Sequence, residues 1–105
     1  MKNLNQKEWE EVLETNPNAV IIDVRTTEEC CGGILENAKN IDVSNFNDFL
    51  SQVQDLDKTK PYFIYCMAGG RSQMACQIMD ELGFKNTYNL VGGISCWQGK
   101  IVENV

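Results

Sequence analysis

The chain contains no histidine. That absence removes the commonest general base, the commonest zinc ligand and every Cys-His or Ser-His nucleophilic pair. Positive charge is also scarce: nine Lys and Arg stand against fifteen Asp and Glu, a net charge of -6. This is the wrong sign for a protein that grips phosphate backbones, so no nucleic-acid partner is expected. The deficit is uneven, with 12 acids and 4 bases in residues 1–57 but 3 acids and 5 bases in residues 58–105, which leaves room for a small anion in the second half. No apolar run approaches the ~18 residues of a membrane helix, and Met1-Lys2-Asn3-Leu4-Asn5-Gln6 lacks the apolar stretch of a secretory signal. A cytoplasmic protein with no membrane partner is expected. The cysteines, at 30, 31, 66, 76 and 96, are odd in number and show no C-x-x-C spacing, against a thioredoxin-like pair and against a four-cysteine zinc knuckle. Cys30 and Cys31 are adjacent and would bridge only with local strain.

What is present is one ordinary globular domain. The chain has 105 residues, 43% hydrophobic and 23% charged, and folding at this length removes roughly 65% of the accessible surface, enough for one core. Asn5 and Glu8 form a capping box ahead of a helix with Trp9, Val12 and Leu13 as its stripe. Ala19-Val20-Ile21-Ile22 reads as a strand buried on both faces. Thr26 or Thr27 caps a brief turn, and Asn40–Val43 is a second short strand. Ser44 caps a helix with Phe46, Phe49, Leu50 and Val53 inward. Tyr62–Tyr65 is a strand that runs into Cys66, and a helix from about Ser72 buries Met74, Ile78, Met79 and Leu82 before Gly83 ends it. Thr87–Leu90 is a further strand, and a short helical turn carries Trp97. Alternating strands and helices predict a three-layer α/β domain, with a mainly parallel central sheet flanked by helices.

Open α/β sheets place their sites at the C-terminal ends of strands, which is where Cys66 falls. A turn from strand into helix aims several N–H groups at one point, and glycines permit the dihedrals this requires. Such a nest holds an anion without histidine and keeps a cysteine as thiolate at neutral pH. Arg71 adds positive charge or a bidentate oxyanion contact. The plainer alternative is a buried structural thiol beside a surface arginine. Cys76 and Cys96 read as packing residues, as does one of Cys30 and Cys31. Asp23 and Arg25 end the first buried strand and are expected to make ion pairs or backbone hydrogen bonds that fix the neighbouring loops, the alternative being a carboxylate that orients the active loop or the substrate. Gly92 and Gly93 are turn residues, and Trp97 is a core anchor near the site.

Cys66-Met67-Ala68-Gly69-Gly70-Arg71-Ser72 resembles the active loop of a single-domain rhodanese, a sulfurtransferase. Ile22-Asp23-Val24-Arg25 is similar to that family's N-terminal signature, and Glu29, Gly33, Ala38, Asn40 and Ile41 fall where its next segment places them. Gly92-Gly93-Ile94 with Trp97 is similar to its C-terminal signature. The resemblance implies one rhodanese-like domain over residues 1–105, with Cys66 and Arg71 catalytic. It implies that Met67, Ala68, Gly69, Gly70 and Ser72 hold the transferred sulfur, and that Asp23, Arg25 and Trp97 support the site. No metal or other cofactor is implied. The partners would be a small sulfane-sulfur donor and a thiol, protein thiol or cyanide acceptor. A small domain without an obvious extra apolar face is expected to be a monomer.

Three positions depart from the family pattern: Ile34 replaces its usual histidine, Glu36 its frequent proline, and Met67 a residue often basic in thiosulfate-using members. Phosphate-hydrolysing relatives place five residues between cysteine and arginine, whereas four intervene here, which argues against a phosphatase. Two other readings stay open: a non-catalytic rhodanese-like binding or sensing module, and a redox protein pairing Cys66 with a second thiol. The sulfurtransferase reading demands that the amides after Tyr65 turn inward around a sulfur open to solvent.

Overall fold

The computed structural model of the chain describes residues 1–104. β1 (Lys2–Leu4) leads into α1 (Gln6–Glu14), whose first turn is closed reciprocally: the Asn5 side chain accepts from the Glu8 N–H, and the Glu8 carboxylate accepts from the Asn5 N–H. β2 (Val20–Asp23) is followed by α2 (Thr27–Cys30), capped in the same way by Thr26 and Glu29. β3 (Ile34–Leu35), β4 (Ala38–Asn40), α3 (Phe46–Gln54), β5 (Pro61–Tyr65), α4 (Gly70–Glu81) and β6 (Asn86–Leu90) come next. A 3-10 turn at Ile94–Cys96 precedes β7 (Ile101–Val102).

The central sheet runs β1-β6-β5-β2-β4 with every pair parallel, while β3 and β7 form a separate antiparallel pair. β5 shows why its sequence is apolar at every position. Successive side chains face opposite sides, and helices cover both sides of a parallel sheet. Tyr62 and Ile64 pack with Phe49, Val53, Ala75 and Met79 from α3 and α4. Phe63 and Tyr65 pack under α1, where Trp9 meets them edge-on at ring-centroid distances of 5.2 and 6.5 Å. The three-layer α/β reading therefore holds.

Several local expectations are corrected. The second strand is Ala38–Asn40 rather than Asn40–Val43. The N–H groups of Ile41 and Val43 still bond the carbonyls of Asp23 and Val24, so the chain keeps running beside β2 after regular pairing stops. Ser44 does not cap α3; its N–H and hydroxyl both donate to the Asp42 carboxylate, and Phe46 at the helix start stays half exposed. α4 begins at Gly70, and its buried stripe is Ser72, Ala75, Cys76 and Met79, the i, i+3, i+4, i+7 face. Met74 lies off that stripe and is exposed. β1, β3 and β7 were not anticipated, being too short for any periodicity to show. Among the described residues no helix is long and apolar enough to cross a membrane.

Candidate active site

The alternation of β5, carried one residue further, puts Cys66 on the α3–α4 side at the C-terminal edge of the sheet's central strand. The chain must then reverse into α4. Gly69 makes this possible with φ at 107°, and its N–H points at the Cys66 sulfur from 3.1 Å. The Ser72 hydroxyl lies 3.4 Å from the same sulfur. On the outer side of the loop, the carbonyls of Cys66 and Met67 accept from the N–H groups of Ile94 and Ser95, each at 3.0 Å. That clamp demands a glycine at 93, where φ is 58° and a Cβ would collide with both carbonyls. With carbonyls drawn outward, the loop is left with donors facing inward.

Three cysteines are buried, and their acidities diverge. Burial pushes the Cys30 and Cys76 thiols up to about 12, with Asp23 and Asp80 adding to the effect. Burial raises Cys66 too. There the Ser72 hydroxyl and the amides of Ser72, Gly69 and Ala68 outweigh it, and the thiol falls below its ordinary range. One expectation fails: Cys66 is 1% exposed, so its sulfur forms the floor of the loop instead of standing open to solvent. Burial follows from the β5 alternation that aims the residue into the core side. Cys96, expected to pack, is exposed, and Cys31 is exposed while Cys30 is buried.

Arg71 does not direct its fork at the sulfur. Nη1 and Nη2 donate to the two carboxylate oxygens of Glu29 at 2.6 and 2.9 Å, and this pairing holds the Glu29 carboxyl down to about 2. Arg71 thus ties the start of α4 to α2. Glu29 also accepts from the Thr26 N–H as part of the α2 cap. Asp23 and Arg25 form a buried ion pair at 2.8 Å on the opposite face of the sheet from Cys66. Arg25 additionally donates to the carbonyls of Gly33 and Glu29, so this pair holds α2, which in turn carries the Arg71 partner. Trp97 packs part-buried beside the Trp9 cluster.

Met67 and Ala68 sit exposed at the rim, and Gly70 opens α4. A cleft of about 340 Å³ beside the loop is lined by Ala68, Gly69, Gly70, Asn89 and Gly92, among others. Glu29 as the partner of Arg71, and Asn89 next to Ser72, were not singled out from sequence. A polar Asn in a strand flanked by apolar residues was the available signal for the second.

A family model described as a rhodanese-like domain matches residues 5–100. Among curated relatives, the Bacillus subtilis protein YtwF, provisionally named a sulfurtransferase, is 34% identical over 95% of this chain and 93% of its own length. A tRNA uridine(34) hydroxylase of Chlamydia felis is 33% identical over 95% of this chain, which spans only 35% of that larger protein. Among solved structures, a rhodanese-like domain protein of Staphylococcus aureus covers 100% of both chains at 28% identity and a TM-score of 0.82. The polysulfide-sulfur transferase homodimer of Wolinella succinogenes gives 31% identity and a TM-score of 0.72, covering 92% of this chain and 72% of that one.

Proposed function

Given that the chain belongs to the rhodanese-like family, we propose that it is a sulfurtransferase carrying sulfane sulfur as a Cys66 persulfide. The Cys66 thiolate attacks the outer sulfur of a donor R–S–SH. A new S–S bond forms at Sγ, the donor's own S–S bond breaks, and its electron pair leaves with the inner sulfur. The proton of the terminal sulfur passes to that departing thiolate, so the products are R–SH and Cys66–S–S⁻. A thiol, protein thiol or cyanide acceptor then attacks the outer sulfur and restores the thiolate. Loop amides stabilise negative charge at both stages.

The observation that carries this reading is the donor geometry at Cys66, with the Gly69 N–H 3.1 Å and the Ser72 hydroxyl 3.4 Å from its sulfur. These donors draw the thiol toward thiolate, whereas burial pushes Cys30 and Cys76 the other way. The sulfur is not open to solvent as the sequence reading required, so the proposal rests on the inward donors. Sγ at the floor of the loop favours a slender terminal sulfur over a bulky electrophile. The donor is a persulfide or polysulfide in preference to thiosulfate, because Met67 brings no charge and the Arg71 charge is already matched by Glu29. The name of the Wolinella neighbour supports the same class of donor. No cofactor takes part, and the protein works as a monomer.

A second reading, a non-catalytic module, draws on the burial of Cys66 and on relatives in which the matching region is a fraction of a larger hydroxylase. Turnover separates the two. With thiosulfate, 3-mercaptopyruvate, glutathione persulfide and polysulfide offered to wild type and Cys66→Ala, the wild type should turn over the last two fastest and the variant none. Donor turnover that survives in Cys66→Ala would reject the assignment, and no turnover of any donor by the wild type would favour the module.

A further inference from the structure

Ser72 has one hydroxyl proton and three acceptors around it. Its Oγ lies 2.5 Å from Asn89 Oδ1, 3.2 Å from the Gly69 carbonyl and 3.4 Å from the Cys66 sulfur. A hydroxyl donates once, so the three compete, and Asn89 is the nearest. Asn89 cannot readily turn its amide to offer a donor instead. Its Nδ2 is engaged by Asn3 Oδ1 at 3.0 Å and by the Gly69 carbonyl at 3.3 Å. Asn3 is its direct partner in the β1–β6 ladder. Asn89 itself is 3% exposed, so no bulk water relieves the competition.

We propose that Asn89 is a positioning residue for sulfur transfer, holding the Ser72 hydroxyl when Cys66 carries no charge and releasing it to Sγ when the thiolate forms. The inference rests on the sulfurtransferase reading for its purpose, though not for its geometry. Negative charge on Sγ draws the hydroxyl proton toward sulfur. Once Sγ is bonded in the persulfide, that charge resides on the outer sulfur, and the hydroxyl returns to Asn89. Among the described residues, the charged groups near the loop are Arg71 from α4 and Glu29 from α2, with the Asp23–Arg25 pair at the end of β2 on the far face. None of these hydrogen-bonds Asn89, so altering it leaves their fields in place.

The test is the pH midpoint of Cys66 alkylation by iodoacetamide, read on the peptide by mass spectrometry, in the intact folded protein without donor. Asn89→Leu removes the nearest competitor and leaves only the Gly69 carbonyl at 3.2 Å, and the midpoint should fall by about half a pH unit or more, the reverse of what a merely loosened site would give. In a Ser72→Ala background the same substitution should have no effect. If Asn89→Leu fails to fold, Asn3→Ala on the exposed edge of β1 releases the Asn89 amide and should move the midpoint the same way by less. An unchanged or raised midpoint, or a fall that persists without the Ser72 hydroxyl, overturns the proposal. Because no donor is present, that failure leaves persulfide formation on Cys66 to stand or fall separately.

Discussion

Replacing Glu29 by glutamine should make the protein less stable and the Cys66 thiol more acidic at once. Glutamine keeps an acceptor for the Thr26 N–H, so the α2 cap survives and the charge alone is removed. A carboxyl lowered from 4.5 to about 2 would correspond to ~3.4 kcal/mol if all of it were net interaction. The two side chains are 34% and 27% exposed, however, and solvent screening reduces the expectation to about 1 kcal/mol. For a domain of this size that is a loss of roughly 4–8 °C in Tm. The sign follows from linkage: a depressed carboxyl stabilises the fold above its unfolded value near 4.5, and the benefit drains away as pH falls toward 2. The Tm gap between wild type and Glu29→Gln, followed by circular dichroism, should be full at pH 7 and shrink to under half by pH 3. Arg71, left without its counter-charge, should also lower the alkylation midpoint of Cys66. Equal melting temperatures at pH 7, or a gap undiminished at pH 3, would refute the argument.

Other substitutions probe the remaining contacts. Gly93→Ala should cost at least about 2 kcal/mol in urea unfolding and return the Cys66 midpoint toward that of an ordinary thiol, because a Cβ there displaces the clamped carbonyls; a silent substitution would remove the clamp from the account. Met67→Arg should raise kcat/KM for thiosulfate about fivefold, the effect of ~1 kcal/mol of added attraction, with persulfide turnover little changed. Trp9→Ala should cost about 3–5 kcal/mol, while Trp9→Phe should cost much less, since the buried indole N–H has no acceptor among the described residues to lose; equal losses in urea melts would contradict that.

Strand and helix order were legible because the chemistry is local. The Asn5–Glu8 box, a cap at Thr26 or Thr27, and a β5 that is apolar at every position each need only neighbours in sequence. The Cys66 loop was legible for a similar reason, its glycines, arginine and serine lying within six residues of Cys66. Contacts across the fold were not. The Arg71–Glu29 pair spans 42 residues and the Asn89–Asn3 bond spans 86, and no periodicity announces either. Burial of Cys66 was missed because the loop was read as a surface turn, whereas its side chain inherits the inward parity of Tyr62 and Ile64. In α4, Met79 is buried and Ile78 and Leu82 pack against the core as expected, but Met74 points outward, and the small Ser72, Ala75 and Cys76 that complete the buried face carry too little apolar signal to stand out.

Site-resolved mapping of added sulfur tests the central claim most directly. After polysulfide treatment of the native protein, peptide mass spectrometry should find one extra sulfur atom on Cys66 and none on buried Cys30 or Cys76, with the modification gone from Cys66→Ala. Sulfur on the exposed Cys31 and Cys96 alone, with Cys66 unmodified, would contradict the claim that the loop's inward donors make this thiol the carrier.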